Sequence, residues 1–161
     1  MEFASDLGKL QRQMASSSAG ISRRQAILET LSISAGDQIM DVGCGGGHLL
    51  EHLAKAVGEK GHVYGVDPSE DQIAQARGKC SGFENVSLLN SNADDISLEQ
   101  NSCNSVTSTQ AFEYIKDIDA ALHEATRILI SGGAFVNISI LWDHFKFFGA
   151  EEKLNNRIHD T

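Results

Sequence analysis

The chain is organised around the stretch Ile39-Met40-Asp41-Val42-Gly43-Cys44-Gly45-Gly46-Gly47-His48-Leu49-Leu50. An apolar run meets an acid, glycines follow at alternating positions, and an amphipathic segment begins after them. This order predicts a strand, a tight loop and the start of a helix. Glycine adopts backbone angles that other residues avoid, and it has no Cβ to keep a ligand off the main chain. We therefore expect a ligand to lie on bare backbone amides at a helix N-terminus.

Strands and helices alternate outward from this stretch. Apolar spacing predicts a helix over residues 21–31, which carries Arg23 and Arg24. A solvated helix face accounts for these arginines, and the alternative is that one of them reaches the carboxylate of a bound ligand. The other predicted strands cover residues 62–67, 85–90, 105–109 and 134–140, and the strand over 85–90 is expected to be buried. A helix is predicted over 48–57, and another after Pro68 with Ser69 and Gln72 as its capping box. A further helix is capped by Asp117 or Asp119 and stopped by residues 131–133.

Helices of this length between strands favour right-handed crossovers and a parallel, doubly wound α/β sheet. Ligands of such sheets bind beyond the carboxyl ends of the strands, at the switch point. The glycine loop, Asp67 and residues 92–95 all fall at these ends. We expect the binding site there.

Composition favours a single domain and a small-molecule or protein partner. The 161 residues suit one core, and we expect residues 1–20 to be flexible or loosely helical and residues 21–161 to form the domain. The net charge of −9 gives no basic surface for nucleic acid or an anionic membrane. Cys44, Cys80 and Cys103 lie far apart, which favours reduced thiols in a cytoplasmic protein. Residues 1–6 lack the basic-then-apolar pattern of a signal peptide and no apolar run approaches transmembrane length, so we expect neither a leader nor a membrane span.

The ligand is expected to contain a ribose without a pyrophosphate. A dinucleotide fingerprint requires a third glycine where this chain has His48, so a nucleotide-binding oxidoreductase is a remote alternative. No G-K-[ST] follows the loop, which disfavours triphosphates. Asp67, at the end of the second strand, is placed to accept hydrogen bonds from both ribose hydroxyls.

Three segments together resemble class I S-adenosylmethionine-dependent methyltransferases. These are Asp41-Val42-Gly43-Cys44-Gly45-Gly46-Gly47, Val63-Tyr64-Gly65-Val66-Asp67-Pro68-Ser69 and Arg127-Ile128-Leu129-Ile130-Ser131-Gly132-Gly133. The resemblance is to the small-molecule branch that includes the ubiquinone and menaquinone biosynthesis C-methyltransferases, and it covers roughly residues 23–140. It implies a Rossmann-like sheet of strand order 3-2-1-4-5, with S-adenosylmethionine as cofactor and a small molecule as methyl acceptor.

The resemblance also implies roles for individual residues. The backbone at Gly43 and Gly45 would surround the methionine part of the cofactor, Asp67 would hold the ribose, and Pro68 would pack on the adenine. Asn92-Ala93 replaces the usual Asp-Ala, and an Asn oxygen still accepts from the adenine amino group. Thr109 and Gln110 would lie beside the sulfonium. The full implied set is Asp41, Gly43, Cys44, Gly45, Asp67, Pro68, Asn92, Ala93, Asp94, Thr109 and Gln110.

The catalytic residues are not identified by the sequence. Glu113, Tyr114 and His144 are candidate general bases, needed only if the acceptor must lose a proton. His48-Leu49-Leu50-Glu51-His52 spells a zinc motif, but its leucines are needed for the core, and no metal is expected.

The family that the chain resembles usually adds antiparallel strands after the fifth strand. This sequence ends about 20 residues past that strand, so we expect the fifth strand to be the last and the domain to be truncated. The edge of the fifth strand would then need a helix, a partner chain, a second copy or a missing piece of the protein to cover it. A non-catalytic binding module or partner subunit is therefore the second hypothesis. The aromatic residues of segment 142–148 are interpreted as core or lid packing, and residues 151–158 as a helix.

Overall fold

The protein is described by a computed structural model that covers residue 13 and residues 15–139. Its sheet has five parallel strands in the order β3-β2-β1-β4-β5, which confirms the predicted architecture and strand order. The strands are β1 (Gln38–Val42), β2 (His62–Val66), β3 (Val86–Leu89), β4 (Cys103–Thr109) and β5 (Leu129–Ile138).

Within the described residues, four α-helices and one short 3₁₀ helix precede or connect these strands. They are α1 (Ser18–Thr30), α2 (Leu50–Val57), α3 (Glu70–Lys79), the 3₁₀ helix Phe112–Tyr114 and α4 (Ile118–Ile128). None of the described helices is long and apolar enough to cross a membrane. Helix α1 starts within the segment 1–20 that we separated from the domain, and the division of the chain at residue 20 stays a prediction.

The helix starts follow from side-chain caps. The hydroxyl of Ser69 accepts from the Gln72 amide at 3.4 Å, as the capping spacing predicted. Asp117 accepts from the Ala120 amide at 2.9 Å, so Asp117 rather than Asp119 begins α4. These caps satisfy backbone donors that a helix leaves unpaired in its first turn.

Two apolar layers lie on opposite faces of the sheet. Helices α1, α2 and α3 cover one face, where Ile27, Ile39 and Leu53 are fully buried. Helix α4 covers the other face, where Met40 and Val106 are fully buried. The apolar stripe of α2 is the reason the segment after the glycine loop folds back onto the sheet.

Two predicted elements differ from the structure. Strand β3 was expected to be buried, but its residues are half-buried because β3 forms an edge of the sheet. Helix α4 ends at Ile128, before the expected stop at residues 131–133, which instead lie inside β5. There the register with β4 shifts, Gly132 has a φ of 81°, and a Cβ on Gly133 would lie 2.9 Å from the Asn104 carbonyl oxygen. These glycines therefore form an irregularity in the strand.

Several expectations fall outside the described residues. They are the aromatic segment 142–148, which includes the candidate base His144, the helix over 151–158 and the absence of further strands after β5. Within the described residues, β5 pairs with β4 and with no other strand.

Candidate functional site

The glycine loop leaves β1 at the centre of the sheet and requires glycine at specific positions. The φ angles are 73° at Gly43 and 79° at Gly47, a region that side chains other than glycine rarely adopt. A Cβ on Gly43 would collide with the Cβ of Ala111, and one on Gly47 would lie 3.0 Å from the Cα of Ala76 in α3. The loop therefore packs closely against both the β4 end and α3.

Backbone hydrogen bonds fix the loop to β2. The amides of Gly43 and Cys44 donate to the Val66 carbonyl at 2.8 and 3.0 Å. The burial of Cys44 raises the pKa of its thiol above the ordinary range, with smaller contributions from Asp41 and Asp67. Cys44 is therefore a neutral filler of the loop.

The carboxylate of Asp67 joins the loop to the N-terminus of α3. Its Oδ2 accepts from the Gly45 amide at 3.0 Å, and its Oδ1 accepts from the Ser69 amide at 2.9 Å. Burial raises the pKa of Asp67, and these two hydrogen bonds oppose the rise. Each carboxylate oxygen can accept a second hydrogen bond, so Asp67 is held in place and still able to bind a hydroxyl.

Asp41 is the buried acid of the site. It is 2% exposed, and its Oδ1 is enclosed without a hydrogen-bond partner. Burial, and to a smaller extent the negative charge of Asp67, raises the pKa of Asp41 to about 8. Without a ligand, Asp41 is therefore protonated near neutral pH.

These groups face a cleft of about 710 Å³ at the carboxyl ends of the strands. Its lining comes from the glycine loop, the ends of β2 and β4, the loop after β3, and the N-terminal part of α1. The size is within the range of small-molecule sites in proteins.

Comparison with known proteins now identifies the family. A family profile described as a methyltransferase domain matches residues 33–161. The chain belongs to this family. It is 32% identical over 131 residues to an uncharacterized 37.1 kDa protein in transposon TN4556 of Streptomyces fradiae, and 34% identical over 113 residues to a demethylmenaquinone methyltransferase of Staphylococcus aureus.

The structural comparison agrees with the family. A SAM-dependent methyltransferase from Aquifex aeolicus matches with a TM-score of 0.70 and 26% identity, over 82% of this chain and 70% of that one. The two curated relatives are matched over 81% and 70% of this chain, but over 38% and 47% of their own lengths. The chain thus spans less than half the length of these curated relatives.

Most of the residues implied by the resemblance meet in the methyltransferase cleft. The lining includes Asp41, Gly43, Cys44, Asp67, Pro68, Asn92, Ala93, Asp94, Thr109 and Gln110. Gly45 is not part of the lining but donates its amide to Asp67. Pro68, Asn92 and Asp94 are exposed, whereas Asp41 and Cys44 are buried.

The end of β4 is held in an unusual conformation. Gln110 has a φ of 56°, and its amide donates to the Ile138 carbonyl at 2.7 Å. The hydroxyl of Thr109 is enclosed and has no hydrogen-bond partner. Strain and unpaired polar atoms gather at functional sites, so both features are consistent with ligand binding here.

The zinc interpretation does not fit the geometry. Helix α2 begins at Leu50, so His48 lies before the helix and lines the cleft. Burial is the main cause that lowers the pKa of His48, followed by the positive charges of Lys79 and Arg24. No group of three potential metal ligands occurs in the part of the chain that the structure describes.

Sequence reasoning left some lining residues unassigned. Ser91, Ala111 and Lys116 were not singled out, and Arg23 and Arg24 were left between two interpretations. Ala111 follows β4, so its position was the available signal, since the carboxyl ends of parallel strands meet at one edge. The position of α1 over that edge depends on contacts distant in sequence.

Proposed function

We propose that this chain binds S-adenosylmethionine and transfers its methyl group to a small-molecule acceptor. The observation that carries the proposal is the Asp67 carboxylate, which is fixed by the Gly45 and Ser69 amides at the mouth of a cleft in a methyltransferase domain. The Aquifex aeolicus protein is described as SAM-dependent, and the Staphylococcus aureus relative is named for methylation of demethylmenaquinone. Both support a methyl transfer reaction.

The residues of the cleft fit this donor. A carboxylate with free accepting capacity suits the ribose hydroxyls, and the backbone at Gly43, which lines the cleft, would face the methionine part. The unpartnered oxygens of Asp41 and Thr109 are acceptors for the donor's ammonium and for polarised groups beside its sulfonium. Asn92 and Asp94 would face the adenine amino group.

The sulfonium supplies an electrophilic methyl group, so the protein contributes mainly alignment. The rigid loop between β1 and α2 and the end of β4 hold the two sides of the cleft in fixed positions. Such positioning of a nucleophile in line with a methyl group lowers the barrier by several kcal/mol, about 7 or more in favourable cases. A base is required only for an acceptor that loses a proton; of the candidates within the described residues, Tyr114 lines the cleft and Glu113 does not.

Calorimetric titration tests the proposal. S-adenosylmethionine and S-adenosylhomocysteine should bind the full chain, and NAD should not. Asp67→Ala should weaken both ligands about tenfold or more, because two charge-assisted hydrogen bonds to the ribose are lost. Asp71→Ala is the matched control, since Asp71 is exposed in the first turn of α3. Lack of binding, or equal affinity of the Asp67 variant, would contradict the proposal.

Turnover separates the enzyme from the alternative, a non-catalytic binding module or partner subunit. An acceptor panel with S-adenosylmethionine should give methylated products detectable by mass spectrometry. Binding without any product across the panel would favour the module. The edge of β5, which pairs with β4 on one side in the described structure, is the surface we propose for a protein partner or a second copy. Three free thiols support a cytoplasmic location.

A further inference from the structure

Three basic side chains line the cleft. We call Arg23, Arg24 and Lys116 the basic rim, and all three line the same cleft as Asp67. Helix α1 carries both arginines and contacts β4 and β5, while Lys116 lies just before α4. The chain as a whole has a net charge of −9, so the sign of the rim is opposite to that of the protein.

The two arginines of the rim have no carboxylate partner among the described residues. Arg23 Nε is enclosed and has no hydrogen-bond partner. Arg24 Nη1 donates to a neutral group, the Ala15 carbonyl oxygen, at 2.6 Å. Burial lowers the pKa of Arg24, and the charge of Arg23 adds to the effect, so the two guanidinium groups are close enough to repel. An anion between them would relieve both costs.

The rim and the ribose acid lie on different elements of the fold. Asp67 follows β2, and the rim lies over β4 and β5, with β1 between them in the sheet. Adjacent strands are about 4.8 Å apart, so β2 and β4 are separated by roughly 10 Å. A donor held by its ribose at Asp67, with its sulfonium beside Thr109, spans this distance, so its own carboxylate reaches toward the rim and the charge balance decides whether a second anion is needed there.

Counting charges shows that the donor does not neutralise the rim. S-adenosylmethionine carries one carboxylate, one ammonium and one sulfonium, so its single anionic group balances at most one of the three basic side chains. The donor as a whole adds positive charge to the cleft. A single carboxylate between the two guanidinium groups would leave a net positive charge there, which an anionic group on the second substrate would balance.

We propose that the methyl acceptor carries an anionic carboxylate or phosphate group that Arg23 and Arg24 bind, with Lys116 attracting it at the mouth of the cleft. This inference rests on the proposed methyl transfer. The planar guanidinium fork binds both kinds of anion in a bidentate manner, which lysine does not. The acceptor's anionic group would then fix the orientation of its nucleophilic atom.

Simple anions can test the rim without knowledge of the acceptor. Benzoate, phenyl phosphate and the neutral benzamide are titrated calorimetrically into the full chain at low salt, with and without saturating S-adenosylhomocysteine. At least one of the anions should bind and benzamide should not. Arg23→Gln and Arg24→Gln should each weaken the anion about tenfold or more, and Arg23→Lys less. Arg77→Gln is the matched control, because Arg77 is exposed on α3 and does not line this cleft.

Comparing S-adenosylhomocysteine with 5′-methylthioadenosine tests whether the arginines bind the acceptor's anion or the donor's own carboxylate. 5′-Methylthioadenosine lacks the amino acid part of S-adenosylhomocysteine. Under our proposal, the glutamine variants change the affinities of both nucleosides little. Selective weakening of S-adenosylhomocysteine, with anion binding unchanged, would assign the arginines to the donor and overturn the inference. So would a wild-type chain that binds S-adenosylhomocysteine but no anion. Failure of S-adenosylhomocysteine itself would contradict the proposed function, while the titrations without it still report on the rim.

Discussion

Replacement of Asp41 by asparagine should remove a pH dependence from the stability of the fold. Burial raises the pKa of Asp41 to about 8 from an ordinary value of 3.8. Between these values the native state keeps the proton and the unfolded chain releases it. The native state therefore binds more protons, and its stability must fall as the pH rises through this window.

The size of the effect follows from the linkage relation. One proton of difference changes the free energy of unfolding by about 1.4 kcal/mol per pH unit. From pH 6 to pH 8, Asp41 should therefore cost the wild type roughly 2–3 kcal/mol, a large part of a typical total stability of about 5–15 kcal/mol. Asparagine keeps a similar shape and does not titrate, so the variant should lack this loss.

Urea unfolding followed by circular dichroism, in steps between pH 5.5 and 9, measures the effect. The difference in stability between wild type and Asp41→Asn should fall with pH up to about 8 and then level off. The contribution of the histidines to the pH dependence is the same in both proteins and cancels in this difference. Asp95→Asn, which replaces an exposed carboxylate, is the control and should give a difference that does not change with pH. A flat or rising curve for Asp41→Asn would show that Asp41 is ionised in the native state and would refute the reasoning.

Ligand binding should show the opposite pH dependence. A cationic donor favours the ionised form of Asp41, so the affinity for S-adenosylmethionine should increase with pH between 5.5 and 7.5, by at most about tenfold per unit. Calorimetry in buffers of different ionisation enthalpy would detect the released proton. Asp41→Asn should bind more weakly and release none. An affinity of the wild type that does not change with pH would place the donor's cationic groups away from Asp41.

Three further substitutions test the framework of the site by urea unfolding. Gly43→Ala should destabilise the fold by about 2–4 kcal/mol, because the φ of Gly43 is positive and the new Cβ would collide with Ala111. Adding Ala111→Gly should recover part of this loss, and no recovery would contradict the collision. Arg127→Gln should cost about 1–3 kcal/mol, because two carbonyls of the loop before β4 lose donors at 2.8 and 2.9 Å, and an unchanged stability would mean that the loop holds without them. Ser69→Ala should cost about 0.5–1 kcal/mol and Ser69→Asn almost nothing, since Asn also caps helices; equal losses would exclude a capping role.

The sheet could be predicted from the sequence because the signals for its strands and helices lie within short segments. Each strand is a short apolar run and each helix has an apolar stripe or a cap, so the alternation fixes a parallel sheet. The glycines near residue 132 were misread because a helix stop and a strand irregularity use the same residue. Which one forms depends on the pairing of β5 with β4, and that pairing is not visible in a local pattern.

The site was predictable where strand ends define it and not where remote elements meet. Asp67 and Thr109 follow from their positions at strand ends. The location of Arg23 depends on how α1 packs across β4 and β5. No spacing rule reports such contacts, so an arginine on a helix face has the same sequence signature whether it meets solvent or a ligand.

The motif of the loop identified the wrong position as the one where close packing requires glycine. His48, in place of a dinucleotide glycine, was the sequence argument against an NAD site. In the structure, the close packing that needs glycine occurs one position earlier, where Gly47 meets Ala76 of α3, and His48 turns into the cleft before α2 begins. A side chain at position 48 is therefore compatible with the loop and excludes little by itself. The case against a dinucleotide rests instead on family membership.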